Sequence, residues 1–212
     1  MTPVRLAALL LSSVAAAAQA QGPGGRGFGP DTLPLQHIVR GSTVRVDDGG
    51  IATIEIDPAM RYVGGHRFVL YNVADAEQHG FVAADASGNV QRFYWIQFER
   101  YLPTAPNARY SYDQDTLVMR DGLEWRAQGR RYTSSPDTPG DRGAFYTLLA
   151  KAGLRAPAAA TRVRLVHLLS DDRRSELMII YAEASSDTGA LRPGELAALM
   201  GRAQLGLRVT RR

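Results

Sequence analysis

The sequence predicts an α+β fold, a strongly twisted antiparallel β-sheet of about eight strands with two helices from the C-terminal half packed on it. Three observations carry this. Runs of β-branched and aromatic residues separated by Asp/Gly clusters recur from Thr43 to Ala127. Helical spacing of apolar residues begins only after residue 138. The segment Phe93-Tyr94-Trp95-Ile96-Gln97-Phe98 is apolar on both faces, so it belongs in the middle of a sheet covered twice.

The chain opens with a short positive start, Met1 to Arg5, an apolar stretch, Leu6 to Ala18, and the small-residue site Ala18-Gln19-Ala20. This is the pattern of a cleavable signal peptide over 1–20, and it implies export to the periplasm or beyond. Residues 21–40 begin with a Gly/Pro-rich run and are expected to form a flexible tether, leaving 41–212 as a single domain that is β-rich to 135 and mixed thereafter. No stretch approaches the roughly 20 apolar residues of a spanning helix. With no cysteine, the chain has neither a disulfide nor a lipid-modified thiol, and about 190 residues are enough to bury a core by packing alone.

Thr43 to Val46 and Ile51 to Ile56 flank Asp47-Asp48-Gly49-Gly50 as a first hairpin, with Ile54 and Ile56 on one face. His66 to Val73 supplies a neighbouring strand of undetermined register. Gln78 to Ala84 and Val90 to Phe98 surround Asp85-Ala86-Ser87-Gly88-Asn89, where Gly88 suits the left-handed position of a type I turn with a bulge. Pairing Asp85 with Asn89 and counting outward places Phe81 opposite Phe93, His79 opposite Trp95 and Glu77 opposite Gln97. Asp121-Gly122 marks a type I′ hairpin that sets Val118 against Trp125.

Thr138-Pro139-Gly140-Asp141 offers a cap and a first-turn proline to a helix over about 139–152, closed by Gly153. After a Pro/Ala connector at 155–160, Arg162 to Leu169 and Glu176 to Ala184 form a hairpin. Pairing Ser170 with Ser175 places Arg162 opposite Glu183 and Val166 opposite Ile179, with His167 on the apolar face of Met178 and Ile180. A second helix over about 193–204 carries Leu196, Leu199, Met200 and Ala203 on one stripe, before a terminal strand at 207–210. An alternative topology makes everything after Leu123 a β-α-β-β-α-β split unit with 41–120 as an added β subdomain.

All but Lys151 of the 25 basic residues are arginine, scattered along a chain of formal net charge +4. GC-rich codon usage accounts for this without a nucleic-acid partner. The chain has no P-loop, no G-x-G-x-x-G before a helix and no G-x-S-x-G elbow. The candidate ligand-binding residues are Glu77, His79, Trp95 and Gln97, which the register above brings to one face: an indole for apolar contact beside a polar pair that orients a ligand. The plainer alternative is a set of ordinary cross-strand contacts.

No metal site and no cofactor is expected, because only His66 lies near His79, and His37 has no recognisable partner. His167 reads as a core histidine, and Asp171 and Asp172 as turn residues. The favoured function is an exported, non-enzymatic binder of a small apolar or amphipathic ligand, or of a cell-envelope component. The tyrosines and tryptophans concentrated in the β-rich half support it. The alternatives are a hydrolase using carboxylates among Glu77, Glu99, Asp113 and Glu124, and a structural or protein-interaction module that adds a partner strand.

Overall fold

The computed structural model describes residues 33–134 and 140–212. Among them are eleven strands and two helices: β1 (Ile38–Arg40), β2 (Thr43–Asp48), β3 (Ile51–Ile56), β4 (Arg61–Leu70), β5 (Ala74–Ala84), β6 (Val90–Tyr101), β7 (Thr116–Arg120), β8 (Leu123–Thr133), α1 (Asp141–Lys151), β9 (Ala159–Leu168), β10 (Ser175–Ala184), α2 (Glu195–Leu205) and β11 (Leu207–Arg211). They form two antiparallel sheets instead of one of about eight strands. The smaller has the order β1-β2-β3-β11 and the larger β4-β5-β6-β10-β9-β8-β7. The α+β class holds. The split-unit alternative does not, because β11 pairs with β3 in the other sheet.

Alternation along each strand explains the layers. Val44, Ile54 and Ile56 of the small sheet meet Phe81, Tyr94, Ile96, Leu177 and Ile179 of the large one, with Leu199 and Ala203 of α2 closing that core. The opposite face of the large sheet presents Val82, Phe93, Trp95, Met178 and Ile180 to Phe145, Leu148 and Leu149 of α1. β6 is therefore central and covered on both sides, as its sequence predicts. No helix among the described residues is long and apolar enough to cross a membrane.

Several local expectations are met. Asp121 and Gly122 take left-handed φ values of 52° and 72°, and Val118 pairs with Trp125. Gly153 follows α1 with φ 73°. The proposed cap at Thr138 and Pro139, the signal segment and residues 21–32 lie outside the described residues. The β4–β5 turn falls on Tyr71-Asn72, both at positive φ, with Leu70 paired to Ala74, so the strand expected over His66 to Val73 ends at Leu70.

Two hairpins are displaced by one residue from their expected registers. In β5–β6 the turn is as predicted, with Asp85 N donating to Asn89 O at 3.0 Å and Gly88 at φ 80°. Beyond it, Ala84 pairs with Val90 but Ala83 pairs with Arg92, so Gln91 is an extra residue. Val90 N donates instead to Arg155 O at 3.0 Å. In β9–β10 the turn closes with Leu169 N donating to Ser175 O at 2.9 Å, and Arg173 sits at φ 57°. Val166 therefore pairs with Met178, and Arg162 with Ala182. Arg162 and Glu183 lie on opposite faces, and Glu183 is bound instead by Arg202 of α2, at 2.7 and 3.0 Å. His167 pairs with Leu177, away from Met178 and Ile180; it is half-buried and donates from Nδ1 to Glu124 O at 2.8 Å.

The expected tether also ends earlier than residue 40. β1 pairs with β2, and Arg67 donates to Pro34 O at 3.0 Å. Residues 33–40 therefore belong to the fold.

Candidate binding site between the sheets

The displaced register on β5–β6 separates the four expected site residues. Glu77 and His79 pair with Phe98 and Ile96 and face the small sheet, whereas Trp95 and Gln97 pair with Gly80 and Gln78 and face α1. Gln91 is the cause, since one inserted residue turns every later side chain of β6 to the other face. Trp95 is 3% exposed, its ring stacked on Phe145 at 4.9 Å with planes 6° apart. Its Nε1 donates to Gln97 Oε1 at 2.8 Å, and Gln78 Nε2 donates to the same oxygen at 2.6 Å. His66 is hydrogen-bonded to Gln78 Oε1 at 2.6 Å on that same side of the sheet, away from His79. This is a satisfied interior network with no indole surface left for a ligand.

On the other face, Glu77 is 2% exposed and His79 fully buried. A buried carboxylate is costly unless donors surround it. Glu77 has four: Gln36 N at 2.6 Å on Oε2, and His37 N at 2.9 Å, His37 Nδ1 at 3.0 Å and His79 Nε2 at 2.8 Å, all on Oε1. Burial alone would raise its pKa, but the bonds from His37, His79 and the two backbone amides outweigh burial and hold the carboxyl well below its ordinary range. Donation from His79 Nε2 leaves Nδ1 as acceptor for the Tyr62 hydroxyl at 3.0 Å. Burial, with the Glu77 charge in support, pushes that hydroxyl up to about 12, so it stays protonated. Gly65 lies opposite His79, and a Cβ there would come within 2.6 Å of His79 Nδ1. The glycine makes room for the ring.

His37 completes the group, although no partner for it is recognisable in the sequence. Its ring stacks on Phe98 at 3.6 Å with planes 13° apart. Beside it lies a cavity of about 140 Å³ lined by Gln36, His37, Asp48, Asp75, Glu77, Phe98, Glu99, Arg100, Leu169 and Ser175. Gln36 and Arg100 are exposed, so it reaches solvent. Asp75 is engaged by Arg67 and Asp48 by Arg100. Ser175 is 3% exposed, and its Oγ has no hydrogen-bond partner among the described residues.

The carboxylates considered for hydrolysis are dispersed. The Glu99 side chain turns to the α1 side, away from Glu77, while Glu124 and Asp113 are exposed. Sequence reasoning missed Glu176, which sits directly opposite Glu99 on β10. Gln97 Nε2 and the Tyr110 hydroxyl donate to Glu99, the latter at 3.1 Å, and the Tyr112 hydroxyl donates to Glu176 at 2.5 Å. Burial pushes both carboxyls up. The Asp141 charge adds to this at Glu99, and the Glu99 charge adds to it at Glu176. No known protein family matches the chain, and neither a curated protein nor a solved structure shows significant similarity to it.

Proposed function

We propose that this is an exported, non-enzymatic binding protein whose ligand seats in the cavity over Glu77. The observation that carries the reading is a buried carboxylate, held ionised by His37 and His79, in the wall of a solvent-reaching cavity. Export rests on the N-terminal signal pattern. The chemistry of the site points to a small cationic ligand. At about 140 Å³ the cavity is well below the roughly 300 Å³ at which pockets for larger organic ligands begin, and Glu77 puts a buried carboxylate in its wall, while Asp48 and Asp75 are paired with Arg100 and Arg67. This narrows the apolar or amphipathic ligand expected from the aromatic content.

Glu77 also ties residues 36 and 37 to β5, and that role alone would leave no ligand to lose. Native mass spectrometry of the protein isolated from its own host separates the two. Binding predicts a retained small mass in the wild type that Glu77→Gln loses while remaining folded. A wild type without any retained mass, or a mass retained equally by both proteins, refutes the reading. The interaction-module alternative has one observation in its favour: on the edge strand β7, Leu117 and Met119 are 51% and 66% exposed.

A further inference from the structure

We infer that His37 Nδ1, Glu77 Oε1 and His79 Nε2 form a three-ligand site for a divalent transition-metal ion, an inference that rests on the binding role of the Glu77 cavity. The three ligand atoms lie within 4.8 Å of one another. Glu77 Oε1 is 3.0 Å from His37 Nδ1 and 2.8 Å from His79 Nε2. Two ligand atoms about 2.1 Å from one ion are ~3 Å apart at a right angle and ~3.4 Å apart at the tetrahedral angle, so an ion entering here replaces the two hydrogen bonds and draws the Glu77 carboxylate back from the rings by roughly 0.5 Å.

The donor set selects the class of ion. Two imidazoles and one carboxylate suit zinc and the neighbouring transition metals, whereas calcium and magnesium prefer oxygen ligands throughout. Three protein ligands leave further coordination positions open. His37 and Glu77 line the cavity, which also carries the Ser175 hydroxyl, unpartnered among the described residues.

The surroundings provide the support a metal-bound histidine needs. When His79 Nε2 coordinates, its proton is carried on Nδ1 instead, 3.0 Å from the Tyr62 hydroxyl, which changes from donor to acceptor. His37 makes the corresponding exchange, its proton moving from Nδ1 to Nε2. Both imidazoles coordinate in the neutral form, and the Glu77 carboxylate supplies the charge. Packing fixes both rings, His79 by full burial beside Gly65 and His37 by its stack on Phe98.

The test uses the tag-free mature chain, stripped with EDTA, desalted and titrated with Co²⁺ alone while its visible absorption is followed, then challenged with Zn²⁺. The expected result is one Co²⁺ per chain, displaced by Zn²⁺ and unaffected by millimolar Mg²⁺. His37→Gln should weaken binding at least tenfold, and Tyr62→Phe about tenfold through loss of the supporting bond. His79→Ala is expected to abolish binding but also empties a fully buried position, so His37→Gln at the cavity wall decides. No cobalt absorption, or unchanged affinity in His37→Gln, overturns the inference. If the host-derived protein retains an organic cation that Glu77→Gln loses while Co²⁺ fails to bind, the metal inference fails and the binding role stands. If neither is seen, both fail.

Discussion

Phe145→Ala is expected to lower the unfolding free energy by about 3–5 kcal/mol. Phe145 is fully buried, stacks on Trp95 at 4.9 Å and lies 5.1 Å from Phe93. Its removal leaves a void between α1 and β6 that the sheet cannot close, because β6 is held by hydrogen bonds to β5 and β10 on either side. Loosening α1 also disturbs the bond from Gln78 Nε2 to Asp141 O, at 2.9 Å, and with it the polar network across the sheet. Urea denaturation measures the loss. A change below about 1 kcal/mol would mean that α1 does not cover this face as described.

The second large effect concerns pH. Glu99 and Glu176 have folded-state pKa values raised above the ordinary 4.5, first by burial and then by neighbouring charge. Above pH 4.5 the unfolded chain has released protons that the folded pair still holds. The pair's contribution to stability is therefore complete below the unfolded value and is lost as pH rises through the neutral range. The two carboxyls titrate together, since each charge opposes the other. Glu176→Gln and Glu99→Gln should each flatten this fall and leave the protein more stable than wild type at pH 8 by roughly 1–3 kcal/mol. Denaturation midpoints between pH 5 and pH 8 provide the comparison. Parallel curves for wild type and both variants would place the charge pair outside the folding equilibrium.

Much of the local structure was legible in the sequence because local chemistry determines it. Asp121-Gly122 can take two left-handed residues in succession, so the β7–β8 register follows from the turn itself. The stripe Leu196, Leu199, Met200 and Ala203 has one apolar face, so α2 follows from periodicity. β6 was recognisable as twice covered because its apolar residues do not alternate. That same lack of alternation concealed its register, since either face could be the inner one.

The slip at Gln91 depends on Val90 bonding to Arg155, and the slip in β9–β10 depends on the left-handed conformation of Arg173. Neither is a local signal. Those contacts moved Trp95 and Gln97 away from Glu77 and His79 and set Glu176 opposite Glu99. His37 was hidden differently. Its neighbourhood has tether-like composition, and only the pairing of β1 with β2 carries it to Glu77, forty residues away in the chain, and to Phe98 beyond that.

The most direct test of the site is a crystal structure of the protein isolated from its own host, with diffraction recorded at transition-metal absorption edges. Bound density in contact with the Glu77 carboxylate is the expected result, with an anomalous peak about 2.0–2.2 Å from Glu77, His37 Nδ1 and His79 Nε2 where the ligand is a metal. A cavity that holds only ordered water, with His37 and His79 still bonded to Glu77 alone, would contradict the account and reduce the three residues to an anchor for the N-terminal strand.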